Sequence, residues 1–286
     1  MAAVDPHDSV GLLDSYFFDC AYFREIERFD RHLEKLRRLP EEQRVHYVSI
    51  CSPNYLHDAH VRLALRIGAH ALCEKPLVLN PWNCDLLEEL EREHGRRVFT
   101  VLQLRLHPAL IELRRRLLAE PAAGKRDVVL TYVTARGGWY LHSWKGDRRQ
   151  SGGLATNIGI HFFDMLQWMF GAVEGTEVHV SEPTRCAGYL ELERARVRWY
   201  LSIAREDVPA ASLQAGKTTF RSITIDGEEA EFSEGFVDLH RRVYEEMLAG
   251  RGFGIDDIRP STKIVHGIRE AAPVGWTERS HALVRR

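Results

Sequence analysis

The sequence predicts an α/β protein, with a parallel, doubly wound sheet in its first third and a second part built on an open, mostly antiparallel sheet. Three observations carry this expectation. Strand and helix signals alternate as βαβαβ between residues 44 and 104, the pattern of parallel strands joined by crossover helices. Beyond about residue 120 the strand signals lengthen and alternate apolar with polar residues, as in an antiparallel sheet with one wet face. Apolar residues make up 44% of the 286 residues and charged residues 28%, a balance that supports a sizeable core.

The first strand signal, Ala2-Ala3-Val4, runs into Asp5-Pro6. Residues 44–52 (RVHYVSICS) are β-rich and end in Ser52-Pro53-Asn54, a turn that can also begin a helix. Residues 57–67 carry Ala59, Leu63, Ala64 and Ile67 at helical spacing, and Gly68 closes the helix. The short apolar strand 69–73 stops at Glu74-Lys75-Pro76. Asn80-Pro81 then supplies an N-cap and a proline at the first helical position, with Gly95 at the C-cap. Between them Trp82, Leu86, Leu87 and Leu90 form one apolar stripe, and residues 97–104 (RVFTVLQL) make the next strand.

In the second part, residues 127–136, 177–180, 196–204 and 217–225 read as strands. Val197, Trp199, Leu201 and Ile203 point one way, with Arg198, Tyr200 and Ser202 on the opposite, wet face. Asp226-Gly227 marks a hairpin turn. Two helices interrupt the strands, 157–170 before Gly171 and 236–249 before Gly250. No repeat or low-complexity linker separates the two parts, so they are expected to be tightly joined. The last residues, 271–286, offer no structural reading beyond a tail open to disorder.

Composition narrows the function classes. With 39 basic against 41 acidic residues the formal charge is −2, without the basic excess of a nucleic-acid binder. No apolar run reaches the ~18 to 20 residues of a membrane helix. The five cysteines are an odd number with no Cys-x-x-Cys pair, and no secretory signal opens the chain. A reducing, cytoplasmic location is therefore expected.

Open parallel sheets bind ligands at the carboxyl ends of their strands. Asp5, Ser52-Pro53-Asn54 and Glu74-Lys75 fall there. A carboxylate such as Asp5 can hold the ribose hydroxyls of a dinucleotide, and the lack of an adjacent arginine favours NAD over NADP; an Asp before Pro is also an ordinary turn former. Pro76 biases Lys75 to extended geometry at the strand end, pointing to the crevice, although a surface lysine beside Glu74 is the plainer reading. On a helix Asn157, His161 and Asp164 share a face, opposite a stripe of Ile158, Phe162, Met165, Leu166 and Met169. A histidine so placed can take a proton from an alcohol while hydride leaves the same carbon, or make a structural hydrogen bond.

Gln103, Arg105 and His107, with residues 139–145 (WYLHSWK), mix aromatics, cations and hydrogen-bonding groups. That mix suits a sugar nucleotide, or a solvated loop with a few buried tryptophans. Arg114-Arg115-Arg116 reads as a solvated helix face. The fourteen histidines do not pair with carboxylates at metal-ligand spacing, so no metal site is expected. Residues 250–254 (GRGFG) follow a helix rather than a strand, unlike a phosphate-binding glycine fingerprint.

Cys73-Glu74-Lys75-Pro76, together with Gly152-Gly153 and Gly159-Ile160-His161-Phe162-Phe163-Asp164, resembles the Gfo/Idh/MocA family of NAD(P)-dependent oxidoreductases. Shorter stretches at 4–11 (VDPHDSVG), 103–108 (QLRLHP), 143–146 (SWKG), 248–250 (LAG), 252–254 (GFG) and Arg259-Pro260 are similar to one branch, the UDP-N-acetyl-glucosaminuronate 3-dehydrogenases of O-antigen sugar synthesis. The resemblance spans about residues 2 to 270. It implies a Rossmann domain over 1–105, an α/β domain for substrate binding and oligomerisation over 106–270, and a tail over 271–286.

The implied activity is NAD-dependent oxidation of the 3-hydroxyl of a UDP-linked N-acetylated hexuronate (UDP-GlcNAcA to its 3-keto form) in lipopolysaccharide biosynthesis. Another sugar or polyol dehydrogenase of the family, or a chain without NAD and without catalysis, stands as the alternative. By resemblance Lys75 and His161 form the catalytic pair, His161 as base and Lys75 polarising the oxygen, with Asn157 where many relatives have aspartate. Asp5, Ser52, Asn54, His57, Glu74, Lys75 and Trp144 would line NAD; Gln103, Arg105, Tyr140 and Lys145 would face substrate or nicotinamide. A homotetramer, and NADH recycling by 2-oxoglutarate, are implied as well.

The chain departs from the family at its start. Members open with a strand, a G-x-G-x-x-G/A turn and a helix ahead of the segment matched by residues 1–11, and these are not present here. The expectation is a missing βα unit of roughly 30 residues, from a start assigned too late. The alternative is a true chain that folds differently or has lost its cofactor. Without that central strand the parallel strands should fall into two half-sheets, with no helix N-terminus for a pyrophosphate.

Overall fold

The structure, a computed structural model, describes residues 1–120, 124–230 and 237–285. Its first part holds five short parallel strands: β1 (Ala2–Val4), β2 (Ala21–Phe23), β3 (Tyr47–Ile50), β4 (His70–Cys73) and β5 (Val98–Thr100). Helices α1 (Ile26–Leu36), α2 (His57–Arg66) and α3 (Pro81–His94) alternate with them. Among the described residues β1 pairs only with β2, and β3-β4-β5 form a separate sheet.

β4 is central in its sheet and apolar on both faces, as a parallel strand covered twice must be. Ala71 and Cys73 pack with Val61, Ala64 and Leu65 of α2 and Cys84 and Leu87 of α3. Leu72, on the other face, joins Phe99, Val101 and the helix over residues 239–248, through Val243 and Met247. The stripe expected on α3 is only half right: Leu87 is buried, but Trp82 is 58% and Leu86 37% exposed. Cys84 takes the inward position, because the helix over residues 255–270 flanks α3 and meets Trp82 edge-on through His266, with ring centroids 5.1 Å apart. The strand expected over 97–104 ends at Thr100 and turns into a 3-10 helix, Gln103–Leu106.

Helix α4 (Pro108–Ala119) leads to β6 (Arg126–Thr134). Two single turns, α5 (Trp139–His142) and α6 (Arg148–Ser151), precede a π-helical turn, Ala155–Gly159, and α7 (Ile160–Phe170). Then come β7 (Val173–Ser181), β8 (Arg185–Leu192), β9 (Ala195–Ser202), the short α8 (Ala210–Gln214), β10 (Thr219–Ile225) and β11 (Glu228–Glu229). Helices α9 (Leu239–Leu248) and α10 (Ile255–Glu270) follow; Phe236, where the sequence starts α9, lies outside the described residues.

The large sheet runs β11-β10-β6-β9-β8-β7. It is antiparallel except between β6 and β9, where Leu130 faces Trp199 in parallel register. Trp199 and Leu201 pack under α7, and Phe163 meets Trp199 edge-on at 5.2 Å. One hydrophobic cluster runs from Ile50 and Cys73 through α7 to Trp199, so the two parts share a core.

The outer face of β9 is not wet as expected: Tyr200 and Ser202 are each 2% exposed. Both hydroxyls donate to Asp207 Oδ2, at 2.9 and 2.6 Å, and the C-terminal segment covers Tyr200. His281 hydrogen-bonds Thr131 Oγ1 at 2.8 Å and stacks on Tyr200 with centroids 5.4 Å apart, while Leu283 and Val284 pack with Val133 and Ala187. The Val274 amide donates to Val178 O at 2.9 Å. The tail is therefore a strap on the sheet.

Candidate active site

The chain leaves β4 through Glu74 and Lys75, with a cis peptide between Lys75 and Pro76. Lys75 is half-buried, and its Nζ donates to Asn157 O at 2.7 Å. That carbonyl lies in the π-helical turn, a local widening common at functional sites. Gly152 and Gly153, both at φ +80°, bring the chain into this turn; a Cβ on Gly152 would sit 2.6 to 2.8 Å from the Thr156 side chain. The glycine pair is thus required by left-handed backbone and by close approach.

The Asn157 side chain is held at both ends. Its Nδ2 donates to Tyr140 Oη at 2.8 Å, and its Oδ1 accepts from Asn54 Nδ2 at 3.3 Å. Asn54 is buried and also donates to Ser151 O at 2.9 Å. Beside it, His57 is buried with its ring nitrogens 2.7 Å from Pro76 O and 2.7 Å from Ser52 O. Burial lowers its pKa against the raising effect of those carbonyls, and both ring nitrogens are taken up by backbone oxygens. Ser52 Oγ lies 2.9 Å from His60 Nδ1.

Two titratable groups are strongly perturbed. Burial lowers Lys75 to about 8, helped by the Lys145 charge and opposed by Glu74. Burial holds His161 well below the ordinary histidine value, and the charges of Lys75, His240 and Arg221 push it further down. A neutral imidazole and a depressed ammonium that feel each other at the end of a parallel strand can accept one proton and stabilise one oxyanion. Lys145 lies over Trp139 and Trp144, 5.1 and 5.6 Å from the ring centroids, which brings Trp144, Lys145 and Tyr140 to the same region.

Other expected positions fall differently. Arg105 does not face a ligand: its guanidinium is bound to Asp164 and Asp257. Asp164, expected on one face with Asn157 and His161, is 1% exposed and its carboxylate is taken up by Arg105 and Ser261. Gln103 is half-buried, and its Oε1 is a buried acceptor without a hydrogen-bond partner. Asp5 stands at the carboxyl end of β1, where Oδ1 accepts from the His7 amide at 2.8 Å.

Two nearby groups escaped the sequence reading. His240 of α9 lies 3.2 Å from Glu74 Oε1, and Arg221 of β10 lies over the Tyr132 ring at 5.6 Å. Neither sits in a motif, and only the packing of α9 and β10 brings them to His161. Among the described residues no group of three or more His, Cys, Asp or Glu is placed to hold a metal ion, and no helix is long and apolar enough to cross a membrane.

Residues 4–102 match the model of the GFO_IDH_MocA oxidoreductase family, NAD-binding Rossmann fold, and residues 127–233 match its C-terminal alpha/beta domain. Among solved structures, the WlbA (WbpB) dehydrogenase from Thermus thermophilus in complex with NAD and alpha-ketoglutarate is 53% identical, with a TM-score of 0.94 over 99% of this chain and 91% of that one. The same dehydrogenase in complex with NAD and UDP-GlcNAcA is similar at 52% identity and the same TM-score of 0.94, over 99% of this chain and 91% of that one. D-glucoside 3-dehydrogenase from Escherichia coli is 30% identical over 141 residues, 46% of this chain and 38% of its own length. An oxidoreductase of Synechocystis is 27% identical over 191 residues, 63% of this chain and 50% of its own. The chain thus spans half or less of the length of these curated relatives.

Proposed function

The chain belongs to the Gfo/Idh/MocA oxidoreductase family, and from that premise we propose that it oxidises the 3-hydroxyl of a UDP-linked N-acetylated hexuronate with NAD. The observation that carries this reading is the meeting of Lys75 with the π-helical turn at Asn157, which sets the strand-end ammonium beside the helix of His161. In this reading residues 1–105 form the cofactor domain and 106–270 the substrate and oligomerisation domain.

The donor set at the strand ends fits the nicotinamide half of NAD. Ser52, Asn54, Glu74, Lys75 and Trp144 would hold it, with the buried His57 bracing the Ser52 and Pro76 carbonyls behind them, and the unpartnered buried Oε1 of Gln103 suits a carboxamide N–H. Asp5 would take the ribose at the far end. Among the described residues no glycine-rich turn leads from a parallel strand into a helix, so they supply no such cradle for the pyrophosphate. When bound, NAD supplies a hydride acceptor.

The remaining work falls to side chains of this chain. His161, neutral at pH 7, accepts the proton of the 3-hydroxyl. Lys75 donates to the same oxygen and stabilises the charge that develops there in a half-buried, low-dielectric setting. Tyr140 and Asn54 fix Asn157, which holds Lys75 in register. Lys145 offers a cation for the anionic groups of the nucleotide sugar.

The reading extends to recycling of NADH by 2-oxoglutarate, supported by the alpha-ketoglutarate held by the Thermus thermophilus relative. A cytoplasmic homotetramer serving O-antigen sugar synthesis completes it, in keeping with a nucleotide-sugar substrate.

The test is NAD-dependent turnover of UDP-GlcNAcA, with nicotinamide content followed by denaturing mass spectrometry. His161→Ala is expected to lose at least ~100-fold in turnover with its nicotinamide content unchanged. Turnover that survives this change removes His161 as base. Turnover of D-glucosides in place of UDP-GlcNAcA, without inhibition by UDP, would favour the free-sugar reading suggested by the D-glucoside relative. A wild-type chain that takes up no nicotinamide would lack a working cofactor site.

A further inference from the structure

The Arg105 guanidinium joins three elements at the helix that carries His161. Its Nε and Nη2 donate to Asp164 Oδ2 and Oδ1 at 3.0 and 2.8 Å. Nη1 donates to Asp257 Oδ1 and Nη2 to Asp257 O, both at 3.0 Å. Four of the five guanidinium N–H groups are thus engaged, and the Phe253 ring covers one face with its centroid at 5.5 Å.

Each partner is itself fixed. Asp257 Oδ2 accepts from the Gly254 amide at 2.8 Å in the first turn of α10. Asp164 accepts a further bond from Ser261 Oγ at 3.1 Å. The Asp164 side chain is 2%, that of Arg105 13% and that of Asp257 39% exposed, so the Arg105–Asp164 pair is buried, bidentate and charge-paired, the geometry that resists rotation. Arg105 sits in the turn leaving β5, Asp164 three residues beyond His161 on α7.

The π-helical turn gives this joint its importance. The contact between Lys75 and Asn157 falls within the π turn, where the backbone is out of step with the α-helix that follows, and does not itself touch α7. The Asp164 clamp sits on α7 itself. We propose that Arg105 is a positioning residue for the oxidation: by gripping Asp164 it sets the rotation of α7, and so places His161 against Lys75. The proposal rests on the reading of His161 as the base.

Arg105→Lys keeps the charge and loses the fork; Asp164→Asn keeps the shape and loses the charge. Both are to be compared with the wild type in kcat and KM for nucleotide-sugar oxidation, in thermal unfolding, and in NMR titration of the His161 ring in the free protein. Folded Arg105→Lys is expected to lose about 10- to 100-fold in kcat with KM within about threefold. Its His161 should titrate closer to an ordinary histidine, since a loosened helix admits water to the ring.

An unchanged kcat with an unchanged His161 titration overturns the proposal. A raised KM at constant kcat also overturns it and makes Arg105 a substrate contact. If the wild type does not oxidise the nucleotide sugar, the functional reading fails separately, and the NMR arm still decides: an unmoved His161 titration overturns the clamp. Should Arg105→Lys not fold, Asp164→Asn carries the same readouts and outcomes.

Discussion

Lys75 and Asn157 meet across the boundary between the parallel sheet and the helix of the second part, with Lys75 Nζ donating to Asn157 O at 2.7 Å. One residue comes from a strand end and the other from a π-helical turn. Their contact fixes where an ammonium is offered to a substrate oxygen, and the predictions below start from it.

Lys75→Met is expected to lower sugar oxidation by ~10² to 10⁴-fold while the protein stays folded, since an apolar chain of similar length replaces a half-buried charge. In the wild type, turnover should fall as pH rises through about 8, where Lys75 loses its proton. A pH–rate profile that stays flat through that value would remove the ammonium from the mechanism.

The same group links stability to pH. Unfolded lysine titrates near ~10.4, whereas folded Lys75 titrates at about 8. Between these values the unfolded chain binds a proton that the folded chain does not, so this residue makes stability rise with pH across the window. Denaturant unfolding should show that rise in the wild type and a flatter dependence in Lys75→Met.

His281, buried against Thr131 and Tyr200, has its pKa lowered to about 4. Its unfolded value is near ~6.5, so its contribution is fully present above that pH and is lost as pH falls towards 4. His281→Gln should show less acid destabilisation than the wild type in unfolding midpoints. Equal slopes would mean that the strap is not released by this histidine.

Gly159→Ala is expected to cost about 1 to 3 kcal/mol by overpacking, because its Cβ would lie 2.7 Å from Leu201 Cδ1 and 2.7 Å from Phe163 Cε2. A thermal melt checks this, and an unchanged midpoint would show that α7 lifts from β9 without cost.

Tyr140→Phe removes the hydroxyl that accepts from Asn157 Nδ2 at 2.8 Å. Stability should drop by about 1 kcal/mol and kcat should fall, with KM little changed. A large rise in KM with constant kcat would instead make Tyr140 a substrate contact.

Much of the fold was legible locally. The periods of residues 57–67 and the capping pair Asn80-Pro81 with Gly95 mark helices that form, as α2 and α3, where they read. Strand β8 and helix α10 were passed over: β8 lacks a strict alternation, and Pro260 lies inside α10. The candidate site was legible where a short motif carries it, at Lys75 and His161.

Arg105 shows where local reading ends. Its partners Asp164 and Asp257 lie 59 and 152 residues away, and no spacing along the chain shows whether a guanidinium will meet a substrate or a buried carboxylate. The same holds for Tyr200 and Ser202, whose alternation reads as a wet face until Asp207 takes both hydroxyls and the C-terminal segment folds over Tyr200.

By itself the sequence determined most of the strands and helices of the parallel sheet, where the glycine turns fall, and which residue types stand at the strand ends. Periodicity, capping and backbone preference act over a few residues, which is why these could be read. Only the tertiary structure decided which polar groups are buried, which charges neighbour one another, and therefore that Lys75 titrates at about 8 and His161 stays neutral. Desolvation and Coulomb interaction depend on distance in space, and the residues that set them here lie far apart in the chain.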